Sequence, residues 1–389
     1  MATENNNKTL NVPNLRFPEF SGEWESNELH KVASLSKGAG ISKDQLSDSG
    51  HPCILYGELY TKYKSEIIRE VYSKTQLDVA NLVKSHTNDV IIPCSGEAAI
   101  EIATARCVLI PDVLLGGDLN IIRLNGRHDG GFFAYQLNGK RKVDIAKVAQ
   151  GVSVVHLYGE HLKKVKVAYP SLEEQQKISS FLALLDERIA TQIKIIEDLK
   201  KLKSAISNEI FNHTSNRKCE LKEIASVIMG QSPSSHAYNN NADGLPLIQG
   251  NLDIENGQLS PRIYTSEITQ TCECGDVILT VRAPVGEIAI AQQEACIGRG
   301  VCSIRPHVNN DTNLIYQFLQ YFKPKWGSLE QGSTFTAVSG TDIRGIAVSI
   351  PSADKIELLN VYDNKIRVES RILTNLTQQK QYLLAQMFI

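Results

Sequence analysis

Four of the eight cysteines, Cys272, Cys274, Cys296 and Cys302, stand near one another in the chain, and thiolates are zinc ligands. A structural zinc site usually takes them as Cys-x-x-Cys pairs, and that spacing is absent, so no metal is expected. Pro111-Asp112 could open a metal-dependent nuclease site if an acidic-x-Lys triplet followed closely. The nearest such triplets are Asp198-Leu-Lys200 and Glu220-Leu-Lys222, on or beyond a long helical stretch, where chance explains them better. Phosphate-binding loops, His-Glu-x-x-His and the Gly-x-Ser-x-Gly elbow are all missing. So is the Asn/Asp-Pro-Pro-aromatic motif of amino-methyltransferases. No catalytic residue can be assigned.

The remaining marks suit binding. Gly230-Gln231-Ser232-Pro233-Ser234-Ser235 is a polar turn able to offer amides and hydroxyls to a phosphate or a base edge. It reads equally as an ordinary loop. Arg282, Arg299 and Arg305 sit near Gly or Pro and could reach out from loops, or be paired surface arginines. Lys37, Lys43, Lys62, Lys64, Arg69 and Lys74 make a basic set in the first part of the chain, which could also be a solvated face. The chain carries a net charge of −2. Residues 1–170 hold 20 Lys/Arg against 19 Asp/Glu, and residues 219–350 only 8 against 13. Any nucleic-acid contact must therefore come from a few placed side chains, not from overall positive charge.

The elements that would position these residues are written twice. Leu182, Leu185, Ile189, Gln192, Ile196, Leu199, Lys203, Ile206 and Ile210 follow alternating three- and four-residue steps. Leu359, Tyr362, Ile366, Glu369, Leu373, Leu376, Lys380, Leu383 and Met387 repeat them 177 residues later, with polar interruptions at the same two places. Such a 3.5-residue seam suits two helices winding on each other, and a polar seam residue fixes register.

The segments before the helices correspond too. Leu29–Ala33 matches Leu221–Ala225, and Gly38 matches Gly230. Ile54-Leu-Tyr-Gly57 parallels Leu247-Ile-Gln-Gly250, and Asp89-Val-Ile-Ile92 parallels Asp276-Val-Ile-Leu279. Gln150-Gly151 recurs as Gln331-Gly332, and Pro170-Ser171 as Pro351-Ser352. Short β-rich runs alternate with glycine and proline, so each globular part reads as α+β with a mixed sheet. The predicted order is a domain over 1–170, a helix over 171–213, a domain over 214–350 and a helix over 351–389. The helices are expected to pack as an antiparallel coiled coil separating the two domains. The polar start is unlike a signal peptide, no run suits a membrane span, and a cytoplasmic protein with reduced thiols is expected.

In this order of parts the chain resembles the specificity subunit of Type I restriction–modification enzymes. The resemblance rests on Leu15-Arg-Phe-Pro-Glu-Phe-Ser-Gly-Glu-Trp24, on Tyr169-Pro-Ser-Leu-Glu-Glu-Gln-Gln-Lys-Ile178 and on Gly275-Asp-Val-Ile-Leu-Thr-Val-Arg-Ala-Pro284. The second helix departs from it, since Pro351-Ser-Ala-Asp-Lys-Ile356 lacks the Glu-Gln pair. The resemblance implies two target recognition domains, each reading half of a bipartite DNA sequence. It implies helices that set the spacing and dock two methyltransferase subunits. Restriction subunits would join them, and S-adenosylmethionine, ATP and magnesium would belong to those partners. The alternative is a non-catalytic coiled-coil scaffold or a self-associating DNA-binding protein.

Overall fold

The computed structural model describes residues 10–151, 153–308, 311–328 and 337–389. Residues 1–9 of the polar start and the repeated pair Gln331-Gly332 lie outside them. The chain divides into two compact units, residues 1–193 with 372–389 and residues 194–371. Each unit takes part of each long helix. Among the described residues no helix is long and apolar enough to cross a membrane.

In the first unit a five-stranded sheet runs Ala33–Lys37, Leu119–Leu124, Asp89–Pro93, Arg106–Val108 and Ile67–Ile68. Only its last pair is parallel. Asp89–Pro93 lies in its middle and is buried at every residue, which suits a run of branched apolar side chains. A second sheet pairs His51–Ile54 in parallel with Leu114–Leu115. Phe132, Phe133 and Tyr135 of the helix Gly130–Asn138 form a core with Leu182 of the first long helix and Phe388, just past the end of the second. The second unit holds a six-stranded and a five-stranded sheet, both mixed, and the helix Thr312–Phe322 packs on the six-stranded one. Its core joins Phe318 to Ile210, Phe211 and Leu359.

The repeat survives down to single hydrogen bonds. The Leu29 amide donates to Val165 O at 2.9 Å, and the Leu221 amide to Ile346 O at 2.9 Å. Gly38 N reaches Leu119 O, and Gly230 N reaches Val301 O, both at 3.0 Å. A Cβ on Gly38 would stand 2.0 Å from Gly116 O, and one on Gly230 2.1 Å from Gly298 O. Only glycine fits that close backbone crossing, which accounts for its recurrence. One sequence match is corrected by a residue. Gly116 N bonds Ile54 O, and Gly298 N bonds Ile248 O, so Ile54 corresponds to Ile248 and not to Leu247. The strand pairing sets that register, and a four-letter match could not.

The first long helix spans Leu172–Asn212 and the second Ala353–Gln386. Ser171 Oγ accepts from Glu174 N at 3.4 Å, a long N-terminal cap. Glu174 also takes both ends of the Arg16 guanidinium at 2.7 Å, and Gln175 accepts from Asp129 N at 3.0 Å. Glu174 of the opening motif thus anchors the leader, with Phe17 edge-on to Phe181, while Gln175 ties the helix to the turn before Gly130.

Along the seam Leu182, Ile196, Leu359, Leu376 and Leu383 are buried. Leu185, Ile189, Leu199, Ile206, Tyr362, Ile366 and Leu373 are half-buried. Leu184 and Leu202, off the seam, are exposed. In the first unit Lys380 Nζ lies 2.6 Å from Asp186, and in the second Lys203 Nζ lies 2.6 Å from Asp363. The start of one helix therefore meets the end of the other in each unit, an antiparallel pairing. Adding 177 to Asp186 and Lys203 yields Asp363 and Lys380, so one ion pair is written twice. A polar residue at a packed seam specifies register in this way.

Candidate nucleic-acid interface

Each unit brings two turns together beside the end of its parallel strand pair. In the first unit Ala39 N donates to Leu115 O at 3.0 Å, Cys94 N to Asp118 O at 2.7 Å and Leu157 N to Cys94 O at 2.7 Å. In the second, Gln231 N donates to Ile297 O at 2.9 Å, Val281 N to Gly300 O at 2.9 Å and Val338 N to Val281 O at 3.0 Å. These bonds match one for one, so positions in the two turns can be equated.

A buried carboxylate steadies the chain leaving the parallel strand in both. Glu58 accepts from Leu55 N at 2.9 Å and pairs with Lys62 at 2.7 Å, and it also takes the Ser73 hydroxyl. Asp253 accepts from Gln249 N at 2.8 Å and from Arg262 Nε at 2.9 Å. Charge-assisted bonds of this kind are stronger than neutral ones and hold a loop in place. Sequence reasoning missed both acids, because their offsets from the strand differ by a residue.

Another buried acid recurs, at a position already matched between the two halves of the sequence. Asp89 holds Arg123 at 2.8 Å and Asp276 holds Arg305 at 3.0 Å. Each carboxylate also caps the turn before it, accepting from His86 N at 2.7 Å or Glu273 N at 2.9 Å. The Asp276 hydrogen bond raises the Arg305 guanidinium above its ordinary value. Glu273 lies 2.8 Å from the same arginine. Arg305 is thus committed to the scaffold, the paired one of its two readings.

The scaffold is shared and the exposed side chains are not. A cleft of about 1130 Å³ in the first unit is bordered by Lys43, Tyr56, Tyr60, Lys62 and Asp118. Beside its turns Lys37 Nζ lies 6.0 Å from the ring centroid of Tyr158, which stacks on His156. The equivalents in the second unit are Met229, Ser339 and Ala337. There a cleft of about 290 Å³ is lined by Ser232, Gln249, Asn251, Arg282 and Arg299. In the first unit Gly40, Ser95 and Gly117 occupy the places of Ser232, Arg282 and Arg299.

The other cations of the first unit divide among several places. Lys64 donates to Tyr60 O at 3.1 Å, and Arg69 Nε is 3.7 Å from Glu187. Lys74 is exposed on the strand Ser73–Thr75. In the second unit Gln231 is exposed, while Ser234 N donates to Glu267 at 3.1 Å. Arg299 leans on Ser232, whose Oγ accepts from Arg299 N at 3.1 Å and from Nε at 3.3 Å.

Among the described residues no three or more His, Cys, Asp or Glu side chains gather as a metal site. Cys272, Cys296 and Cys302 are buried and Cys274 is exposed. Burial pushes the Cys272 thiol up to about 11 and Cys302 to about 12, which disfavours thiolate chemistry.

The family model of the type I restriction modification DNA specificity domain matches twice, over residues 21–201 and 215–378. A curated relative from Methanocaldococcus jannaschii, a putative type I restriction enzyme MjaX specificity subunit, is 26% identical over 97% of this chain and 95% of its own. The crystal structure of a type I restriction-modification S subunit from M. genitalium has the same fold. It matches with TM-score 0.66 at 17% identity, over 97% of this chain and 99% of that one. A chain solved in a study of type I R-M complex assembly and conformational transition matches with TM-score 0.59 at 21% identity, over 94% and 97%.

Proposed function

This chain belongs to the family of type I restriction–modification DNA specificity domains, and from that premise we propose that it is the non-catalytic address of a methylating and cleaving complex. Each globular part reads one half of a bipartite DNA target. Methyltransferase subunits, two by the pseudo-symmetry of the chain, dock on the long helices, and restriction subunits join them in the cytoplasm. The adenine chemistry with S-adenosylmethionine, and the ATP- and magnesium-dependent cleavage, reside in those partners. A methyltransferase must extrude its target base, and this chain decides where it does so.

One observation carries the reading. The same backbone bonds hold the turns of both units, yet the exposed residues at equivalent places differ: Lys37, His156 and Tyr158 in one, Arg282 and Arg299 in the other. Two addresses on one frame require that pattern. The apolar residues left exposed on both helices, Leu184 at 65% and Val361 at 54% among them, suit docking of further subunits.

The test is an exchange. Residues 219–350 are replaced by the matching segment of another specificity subunit and the methylated motif is sequenced from cells that also express the methyltransferase. One half of the motif is expected to change. A change in both halves, or in neither, overturns the reading.

A further inference from the structure

We propose that Arg299, with Arg282 beside it, reads guanine in the half-site addressed by the second unit. The inference rests on the reading of the chain as a DNA address and adds the base and the residues that recognise it.

The scaffold does not need these arginines. Their equivalents in the first unit are Gly117 and Ser95, and the same backbone bonds form there without them. Among the described residues no carboxylate pairs with either one. Arg123, Arg262 and Arg305 by contrast each hold a buried aspartate. Unpaired arginines on a borrowed frame point outward to a ligand.

Arg299 is also aimed. Ser232 Oγ takes its backbone amide and its Nε, which leaves the two terminal amino groups free to act together. A second backbone approach holds the turn, since a Cβ on Gly300 would meet Gln249 O at 2.0 Å. The guanidinium is therefore a two-pronged donor held on a firm base. Guanine offers N7 and O6 side by side in the major groove, which is the acceptor pair such a fork fits.

A phosphate could take the same fork. The surrounding charge argues against it, because residues 219–350 hold 8 Lys/Arg against 13 Asp/Glu. A segment built to grip phosphates would show the opposite balance.

The experiment uses the full chain assembled with its methyltransferase subunits and duplexes bearing the motif it methylates. The half-site assigned to residues 219–350 by the exchange above is expected to contain guanine. Replacing that guanine by 7-deazaguanine removes N7 and should weaken binding of the wild-type complex roughly tenfold or more. Arg299→Lys keeps the charge and loses the fork. It should bind the ordinary duplex correspondingly less well, show little further loss with 7-deazaguanine, and methylate sites degenerate at that one position.

If no guanine of the half-site is sensitive to 7-deazaguanine in the wild-type complex, the proposal fails whatever the variant does. It fails too if Arg299→Lys leaves the motif and the 7-deazaguanine penalty unchanged, the result for a phosphate contact. An exchange of residues 219–350 that moves both halves of the motif would instead remove the address reading, and this proposal with it.

Discussion

Lys380 places its ammonium 2.6 Å from both Asp186 and Glu66, whereas Lys203 faces Asp363 at 2.6 Å and an amide, Gln320. The two lysines hold the same place in the repeat in different company. Asp186 also accepts from Tyr135 Oη at 2.8 Å and from Ser65 Oγ at 3.0 Å. Burial raises the Glu66 carboxyl above its ordinary 4.5. Burial works on Asp186 in the same direction, but Lys380 holds it below 3.8. Lys380→Met would leave Asp186 without its cation and Glu66 with only Arg106, 3.9 Å away, a loss on the order of 3–5 kcal/mol. Lys203→Met should cost less, because the Asp363 side chain is 31% exposed and water can reach it. Without the ammonium both acids of the first unit titrate above their unfolded values. A raised carboxyl adds stability below its unfolded pKa and loses it as pH rises through the folded one. The Lys380→Met deficit should therefore be largest near neutral pH and shrink toward pH 5, as read by urea unfolding at both. A deficit that grew on acidification would contradict the assigned partners.

The long helices are specified by pattern and placed by contact. Every apolar seam position is buried or half-buried, while Leu184 and Leu202 off the seam are open. Leu376 is 7% exposed, so Leu376→Asp buries an unpaired charge at a cost on the order of 3–5 kcal/mol. Leu199 is only half-buried and its aspartate variant should lose less. Glu197→Ala, on an exposed face, should stay within about 0.5 kcal/mol. Chemical denaturation of the three variants, with co-purification of methyltransferase subunits, checks the ranking. Equal stability of all three would mean the seam does not bear the packing. In the first helix Glu174 answers Arg16 of the leader, and the second helix carries no Glu-Gln pair at that place.

For the whole molecule the question is what sets the distance between half-sites. The repeated pairs Asp186 with Lys380 and Lys203 with Asp363 mark register along both helices. Four residues inserted after Ala190 add about 6 Å to one helix at 1.5 Å per residue. A matched insertion after Arg367, the equivalent place in the second helix, lengthens the other equally. With both insertions, both ion pairs are expected to persist and the spacer in the methylated motif to lengthen by about one or two base pairs, at about 3.4 Å each. The single insertion should impair assembly instead. Motif sequencing of the double insertion decides; an unchanged spacer with full methylation would show that something else measures the distance.

Much of this was legible in the residues themselves. Periodicity alone marked the helices and their duplication, because a packed stripe demands apolar residues at fixed steps. Gly38 and Gly230 were matched in sequence as one repeated position, and only the fold shows the backbone crossing that admits no side chain there. Asp89 and Asp276 were matched in sequence, while their burial and their arginine partners belong to the fold. The partners were not legible. That Asp186 meets Lys380, that Arg305 serves Asp276 and that Arg299 leans on Ser232 depend on residues distant in the chain being brought within hydrogen-bond range. An arginine reads the same in sequence whether a carboxylate waits for it or not. Chain folding decided that Arg305 is spent on the scaffold and that Arg299 faces outward. Local pattern determines which segments pair, and tertiary contact alone determines which charges remain free to meet DNA.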